Sequence, residues 1–225
     1  MVIRVEHQYD EGMVVALQAS LLDLTDDATA VTTFAPLGDT VRRTALAYGA
    51  WVDVRPGWLS GAAELFDRLV SAVPWRAERR QMYDRVVDVP RLVRFYAEGE
   101  PLPDPALAEA RELLSTHYAD ELGEPFVTAG MCFYRDGRDS VAWHGDRHGR
   151  SSREDTMVAI LSLGEPRPLA LRPRGGGESL RFPVGHGDLL VMGGSAQRTW
   201  EHCVPKSARP VGPRISVQFR TRGVR

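Results

Sequence analysis

Arg214-Ile215-Ser216-Val217-Gln218-Phe219-Arg220, near the C-terminal end, alternates polar and apolar residues without a break. An extended strand turns successive side chains to opposite faces. Arg214, Ser216, Gln218 and Arg220 therefore share one face, and Ile215, Val217 and Phe219 the other. On a solvated sheet this is an ordinary amphipathic strand. In a closed β architecture the polar face can line a cavity, where two arginines need anions because buried unpaired charge is costly. A dicarboxylate answers that need with forked, charge-assisted hydrogen bonds.

Working outward, the pattern from Phe126 onward is one of short strands punctuated by Gly and Pro. Strands are expected at Met131–Tyr134, Val141–His144, Thr156–Leu163, Leu169–Arg172, Leu180–Phe182, Asp188–Met192 and Arg214–Thr221. So many short strands imply an antiparallel sandwich or jelly roll, an α+β fold that is mainly β. Two helices flank it. Leu59, Ala62, Ala63, Phe66, Leu69, Val70 and Val73 recur at helical spacing before Pro74. Asp104 is a natural N-cap with Pro105 behind it, Leu107, Ala110, Leu114 and Tyr118 make the stripe, and Gly123 stops the helix. Gly175-Gly176-Gly177 has no helix after it and reads as a hairpin loop. Residues 1 to about 50 read as an irregular acidic wrap, with short strands at Thr32-Thr33-Phe34 and Ala47–Trp51.

The 225 residues suffice for one well-buried domain, and 43% hydrophobic with 26% charged residues is ordinary for a globular chain. No apolar stretch reaches membrane-spanning length, and Met1-Val2-Ile3-Arg4 does not read as a signal peptide. Cys132 and Cys203 are the only cysteines, which argues against a disulfide framework and fits a reducing cytoplasm. The net charge of −2 hides an asymmetry. Residues 1–125 carry 12 basic and 21 acidic side chains, residues 126–225 carry 16 and 9. Lys206 is the only lysine. A basic half made almost wholly of arginine suits phosphate and carboxylate partners.

His144-Gly145-Asp146 places two ligand-type residues at i and i+2 on an expected strand, pointing the same way. His202, from a distant strand, can close a triangular metal face and leave the other side open, the arrangement of non-heme Fe(II) oxygenases. A polar strand end and a half-buried histidine would explain the same residues without a metal. Three protein ligands plus water also suit a hydrolytic zinc site, although Arg214 and Arg220 would then lack a purpose. His7, His117 and His186 read as structural. His148 is close enough in sequence to be a substrate contact or a rival ligand. Between Trp75 and Gly99, Arg76, Arg79, Arg80, Arg85, Arg91 and Arg94 alternate with Trp75, Met82, Tyr83, Phe95 and Tyr96. Arginines can hold phosphates while an aromatic face stacks on a displaced base. A solvated basic segment with its aromatics tucked inward is the plain alternative.

Residues 131–220 resemble the AlkB family of Fe(II)/2-oxoglutarate-dependent nucleic-acid dealkylases. The matching pieces are Phe133-Tyr134-Arg135-Asp136-Gly137-Arg138-Asp139-Ser140-Val141-Ala142-Trp143-His144-Gly145-Asp146, Gly187-Asp188-Leu189-Leu190-Val191-Met192-Gly193-Gly194, Trp200-Glu201-His202 and the strand from Arg214 to Arg220. The resemblance implies a double-stranded β-helix core with flanking helices and an N-terminal nucleotide-recognition lid. Residues 1–100 would hold the extension, one helix and the lid, and 101–225 the second helix and the catalytic core, all in one compact domain. It implies Fe(II) on His144, Asp146 and His202, with 2-oxoglutarate and O2 as co-substrates. Arg214 and Tyr134 would grip the distal carboxylate, and Arg220 would lie near the metal-side one. Cys132 and Ser216 stand where relatives commonly carry Asn, and Cys132 is the weak donor of the two. Arg91-Leu92-Val93-Arg94-Phe95-Tyr96 looks like the family's base-flanking hairpin. Tyr83, Arg91, Arg94, Tyr96, Trp143 and His148 are therefore candidate substrate contacts. The implied activity is oxidative dealkylation of N-alkylated bases in DNA or RNA, with release of aldehyde, succinate and CO2. A monomer with no membrane partner is the expectation for the chain itself. An oxygenase acting on a protein or small molecule, or an inactive nucleic-acid-binding relative, are the alternatives.

Overall fold

The strand that opened the sequence reading lies in the middle of the molecule's largest sheet, paired on both edges. The computed structural model describes residues 31–82, 85–146 and 149–224, with side chains described outside 79–88. In chain order the strands are β1 (Thr33–Phe34), β2 (Arg42–Ala45), β3 (Ala50–Arg55), β4 (Leu59–Ser60), β5 (Arg76–Met82), β6 (Arg85–Tyr96) and β7 (Thr128–Tyr134). They continue as β8 (Val141–His144), β9 (Val158–Gly164), β10 (Arg167–Pro173), β11 (Leu180–Val184), β12 (Asp188–Gly194), β13 (Trp200–Val204) and β14 (Arg214–Arg220). The helices are α1 (Ala62–Ala72), α2 (Pro105–His117), α3 (Ala119–Leu122) and α4 (Ala196–Thr199).

Eight strands form the major sheet in the order β2-β3-β12-β9-β14-β7-β6-β5, and four form the minor sheet in the order β11-β10-β13-β8. Every pairing in both is antiparallel. The sheets face each other across a core of Val52, Val158, Ile160, Leu190 and Met192 from the major sheet with Leu169, Leu171, Val184 and Val204 from the minor one. This is the expected jelly-roll core. The other face of the major sheet carries Ile215, Val217, Phe219, Leu161 and Leu163, covered by Leu65 and Leu69 of α1 and Leu107 and Leu114 of α2. All nine are fully buried. At about 1.5–3 kcal/mol for each large apolar side chain, burial rather than helix propensity seats these helices. The Asp104 carboxylate accepts from the Ala106 N–H at 2.9 Å, and Pro105 opens α2 as its sequence predicts.

Two local expectations shift. Ala47–Gly49 is a 3-10 turn, with Tyr48 in the left-handed region, and the strand begins at Ala50. Arg42–Ala45, inside the stretch read as irregular, is a strand of the major sheet, paired with β3, which runs past the expected Trp51 to Arg55. Arg76–Met82 and Arg85–Tyr96, in the arginine- and aromatic-rich segment, pair as antiparallel strands at the sheet's edge. Thr32–Arg225 is one compact unit, and β6 pairs with β7 across residue 100, where the sequence reading divides lid from core. The acidic wrap over residues 1–30, and with it His7, lies outside the described residues. No helix among the described residues is long and apolar enough to cross a membrane.

Candidate metal and co-substrate site

β8 and β13 are neighbours in the minor sheet, and His144 sits directly opposite His202. Directly opposed residues share a face, and the two rings lie 4.3 Å apart between centroids. Asp146 follows where β8 ends. Among the described residues, His144, Asp146 and His202 form a group whose ligand-type atoms all lie within 4.8 Å of one another.

His144 and Asp146 are each aimed by partners behind them. His144 Nδ1 lies 2.8 Å from the Ala142 carbonyl oxygen. That oxygen can only accept, so Nδ1 carries a proton and Nε2 is the nitrogen that faces Asp146 Oδ1, 3.7 Å away. The Asp146 N–H donates to Gln197 Oε1 at 3.0 Å, the Ser151 hydroxyl donates to the Asp146 carbonyl, and Arg220 Nε donates to Asp146 Oδ2 at 2.7 Å. Gly145 allows the link. A Cβ there would come within 2.9 Å of the Gln197 carbonyl oxygen and 3.3 Å of that of Trp200.

Burial alone would raise the Asp146 carboxyl. The Arg220 guanidinium and the two histidines outweigh it and hold the carboxyl well below the usual carboxylate range. Burial, helped by His144, pushes His202 down to about 3. An ionised carboxylate beside a neutral imidazole is the protonation state a metal requires. Two imidazoles and one carboxylate with an open side suit a first-row transition metal.

Farther along the same inner face, Arg214 is 1% exposed. Its Nε donates to Ser162 Oγ at 2.9 Å, and its Nη1 is buried without a partner. Burial draws this guanidinium below its ordinary value. Tyr134 stands opposite Arg214 in the register, with its ring centroid 5.5 Å from the guanidinium carbon. Burial raises the Tyr134 phenol, which stays protonated and able to donate. Cys132 stands opposite Ser216. Gln218 Nε2 donates to Ser216 Oγ at 2.6 Å, so the Ser216 hydroxyl keeps its own proton for donation. The sequence-derived set of Tyr134, Cys132, Arg214, Ser216 and Arg220 thus lies on one face of β7 and β14.

The candidate substrate contacts are scattered. Arg91 turns toward the co-substrate end, its Nε donating to Cys132 Sγ at 3.3 Å. Tyr96 is 5% exposed on the helix-covered face, with Arg94 stacked 4.5 Å over its ring and ion-paired to Glu100. Trp143 neighbours His144 on the strand and so points the other way. Its ring lies 4.3 Å from the Arg172 guanidinium, which is paired with Glu201. Tyr83 and His148 lie outside the described residues, as do the side chains of Arg79, Arg80, Met82 and Arg85. Sequence reasoning missed Gln197, Ser151 and Ser162. They act through backbone contacts or from behind another side chain, and no spacing signals that.

The sequence profile of the 2OG-Fe(II) oxygenase superfamily matches residues 96–220. The chain is 31% identical over 184 residues to alpha-ketoglutarate-dependent dioxygenase alkB homolog 3 of Bos taurus, covering 74% of this chain and 64% of that one. It is 26% identical over 178 residues to DNA oxidative demethylase ALKBH2 of Homo sapiens, covering 71% and 68%. The chain thus spans a little under two thirds of the length of the alkB homolog 3 relative. A solved structure of OsALKBH1 superposes with a TM-score of 0.54 at 14% identity, over 79% of this chain and 100% of that one, and so agrees in fold. Fe(II), 2-oxoglutarate and O2 are the cofactor and co-substrates of this superfamily. The chain belongs to the 2OG-Fe(II) oxygenase superfamily, and the relatives it is similar to over 71–74% of its length are alkB homologues.

Proposed function

We propose that this chain is an Fe(II)/2-oxoglutarate-dependent dioxygenase that removes N-alkyl groups from nucleobases of DNA, with RNA as a further substrate. One observation carries the reading. A single strand, β14, presents a buried arginine without a carboxylate at one end and an arginine locked onto a metal-ready Asp146 at the other. That charge pattern calls for a group with a carboxylate for Arg214 and a second anionic end for the metal, as 2-oxoglutarate has.

In this reading His144 and His202 give neutral nitrogens and Asp146 an ionised oxygen to Fe(II). Arg214 and the Tyr134 hydroxyl donate to the distal carboxylate, with the Ser216 hydroxyl beside them. Bound iron, 2-oxoglutarate and O2 together supply the oxidation of the N-alkyl carbon, which leaves as an aldehyde with succinate and CO2 as co-products. The protein's share is to orient these groups and keep their charges matched. The β5–β6 hairpin at the open edge of the major sheet is the candidate lid for the displaced base. Similarity to a DNA oxidative demethylase over most of the chain supports DNA as the substrate.

The test loads the protein anaerobically with Fe(II). It then follows N-methylated single-stranded DNA and RNA oligonucleotides by mass spectrometry in the presence of air. A methyl mass lost only when both iron and 2-oxoglutarate are present is the expected outcome. Succinate without demethylation would move the substrate to a protein or small molecule. Neither product from iron-loaded protein would overturn the dioxygenase reading.

A further inference from the structure

Three guanidinium groups converge on Tyr134. Arg214 and Arg167 have their guanidinium carbons 5.5 and 5.8 Å from its ring centroid. Arg91 reaches in from β6, with its Nε on Cys132 Sγ and its Nη1 donating to the Ser140 carbonyl at 3.3 Å. None of the three is ion-paired to a carboxylate of a described residue. Arg167 is 2% exposed, and its Nη groups are taken by the carbonyls of Asp136, Asp139 and Pro205. It is a fixed positive charge with three of its four Nη hydrogens committed to backbone carbonyls. Arg214 keeps its buried Nη1 free, and Arg91 keeps Nη2 without a partner among the described residues.

The wall beside Arg91 is otherwise poor in donors. Cys132 offers only a thiol, a weak one. Gln218 turns its amide nitrogen to Ser216 and its oxygen toward Cys132 Sγ, 3.9 Å away. An oxygen presented there does nothing for an anion. Three cations around a protonated phenol also exceed the single charge of one carboxylate, so a ligand that brings more negative charge into reach of Arg91 is favoured.

We propose that Arg91 is a co-substrate-binding residue, supplying 2-oxoglutarate with the strong donor that Cys132 cannot provide. This rests on the dioxygenase reading above. It gives Arg91 a different task from the nucleic-acid contact that its hairpin position suggests. The small Cys132 on β7 leaves the long, charged Arg91 of β6 in contact with its thiol.

Binding, not turnover, tests the assignment. Protein loaded with Mn(II) is titrated with 2-oxoglutarate by calorimetry and, separately, with a methylated single-stranded DNA oligonucleotide by fluorescence anisotropy. Arg91→Met is expected to weaken 2-oxoglutarate binding about tenfold or more, as loss of a hydrogen bond to a charged group does. Oligonucleotide affinity stays within about twofold. Arg91→Lys loses less than Arg91→Met, and adding Cys132→Asn to Arg91→Met recovers part of the loss. That recovery separates a ligand contact from a packing role, which a new amide on β7 would not restore. An unchanged 2-oxoglutarate affinity in both Arg91 variants, or a loss confined to the oligonucleotide, would overturn the proposal. Wild-type protein that takes up no 2-oxoglutarate would instead sink the underlying dioxygenase reading, and is measured first.

Discussion

Arg220 and Arg214 stand at opposite ends of one face of one strand, yet their surroundings differ in kind. Arg220 is bonded to Asp146 at 2.7 Å and is satisfied before any ligand arrives. Arg214 is more deeply buried and has a hydroxyl, a phenol and an unpartnered nitrogen around it. A paired charge holds its partner in place, whereas an unpaired buried charge raises the energy of the empty cavity and lowers that of the filled one. The Arg220 end therefore builds the site, and the Arg214 end selects what enters it. Stability and ligand affinity should separate along the strand.

The sharpest way to break that contrast is to remove the group on which the Arg220 end is built. Asp146→Ala deletes one ligand and strands Arg220. It is expected to lower Fe(II) affinity by at least about a hundredfold, since losing even an outer partner of a metal ligand costs 10–100-fold. Turnover falls with it. Iron retained after gel filtration at wild-type stoichiometry would refute the metal assignment. Next in size is the arginine pair itself. Arg220→Met leaves a buried carboxylate alone and should destabilise the metal-free protein by about 3 kcal/mol, a melting shift on the order of 10 °C. Arg214→Met removes a buried charge that has no ion-pair partner, so the metal-free protein should melt at or above the wild-type temperature. The same variant should weaken 2-oxoglutarate binding about tenfold or more. If the two variants lose stability equally, the division of labour along β14 is wrong.

The same contrast explains what could be read before the structure. Arg214, Ser216, Gln218 and Arg220 were legible because β14 turns apolar core residues to one face and polar side chains to the other, so its alternation is clean. His144 and Asp146 were legible because an i, i+2 spacing turns two ligand-type side chains the same way from an extended backbone. The β5–β6 hairpin was not, because neither of its faces is uniform. Arg91, Val93 and Phe95 share one side of β6, and Leu92, Arg94 and Tyr96 the other, each mixing charge with apolar surface. Strand parity alone would have separated Tyr96 from Arg91 once Leu92 was known to pair with Phe133. β13 is similarly masked, since His202 faces the site while Glu201 serves Arg172 on the other side. Gln197 speaks to Asp146 through a backbone N–H, a contact with no sequence period.

The smallest expected effect concerns protons, and it sharpens the contrast at the His–Asp end. His202 is held down to about 3 by burial and by His144, against an ordinary value of about 6.5. Between those values the unfolded chain binds a proton that the folded one refuses, so this term stabilises fully above pH 6.5 and is lost as pH falls toward 3. Asp146, held below its ordinary range, acts with the same sign at lower pH, where the unfolded chain takes up the proton first. Metal-free protein should therefore melt at progressively lower temperature from pH 7 to pH 5. His202→Gln, which cannot take up the proton, should flatten that slope, while Arg214→Met should leave it unchanged because Arg214 faces the far end of the strand. A slope insensitive to His202→Gln would mean that this ring is already free to protonate in the folded chain, and the neutral donor set assigned to the metal would lose its electrostatic basis.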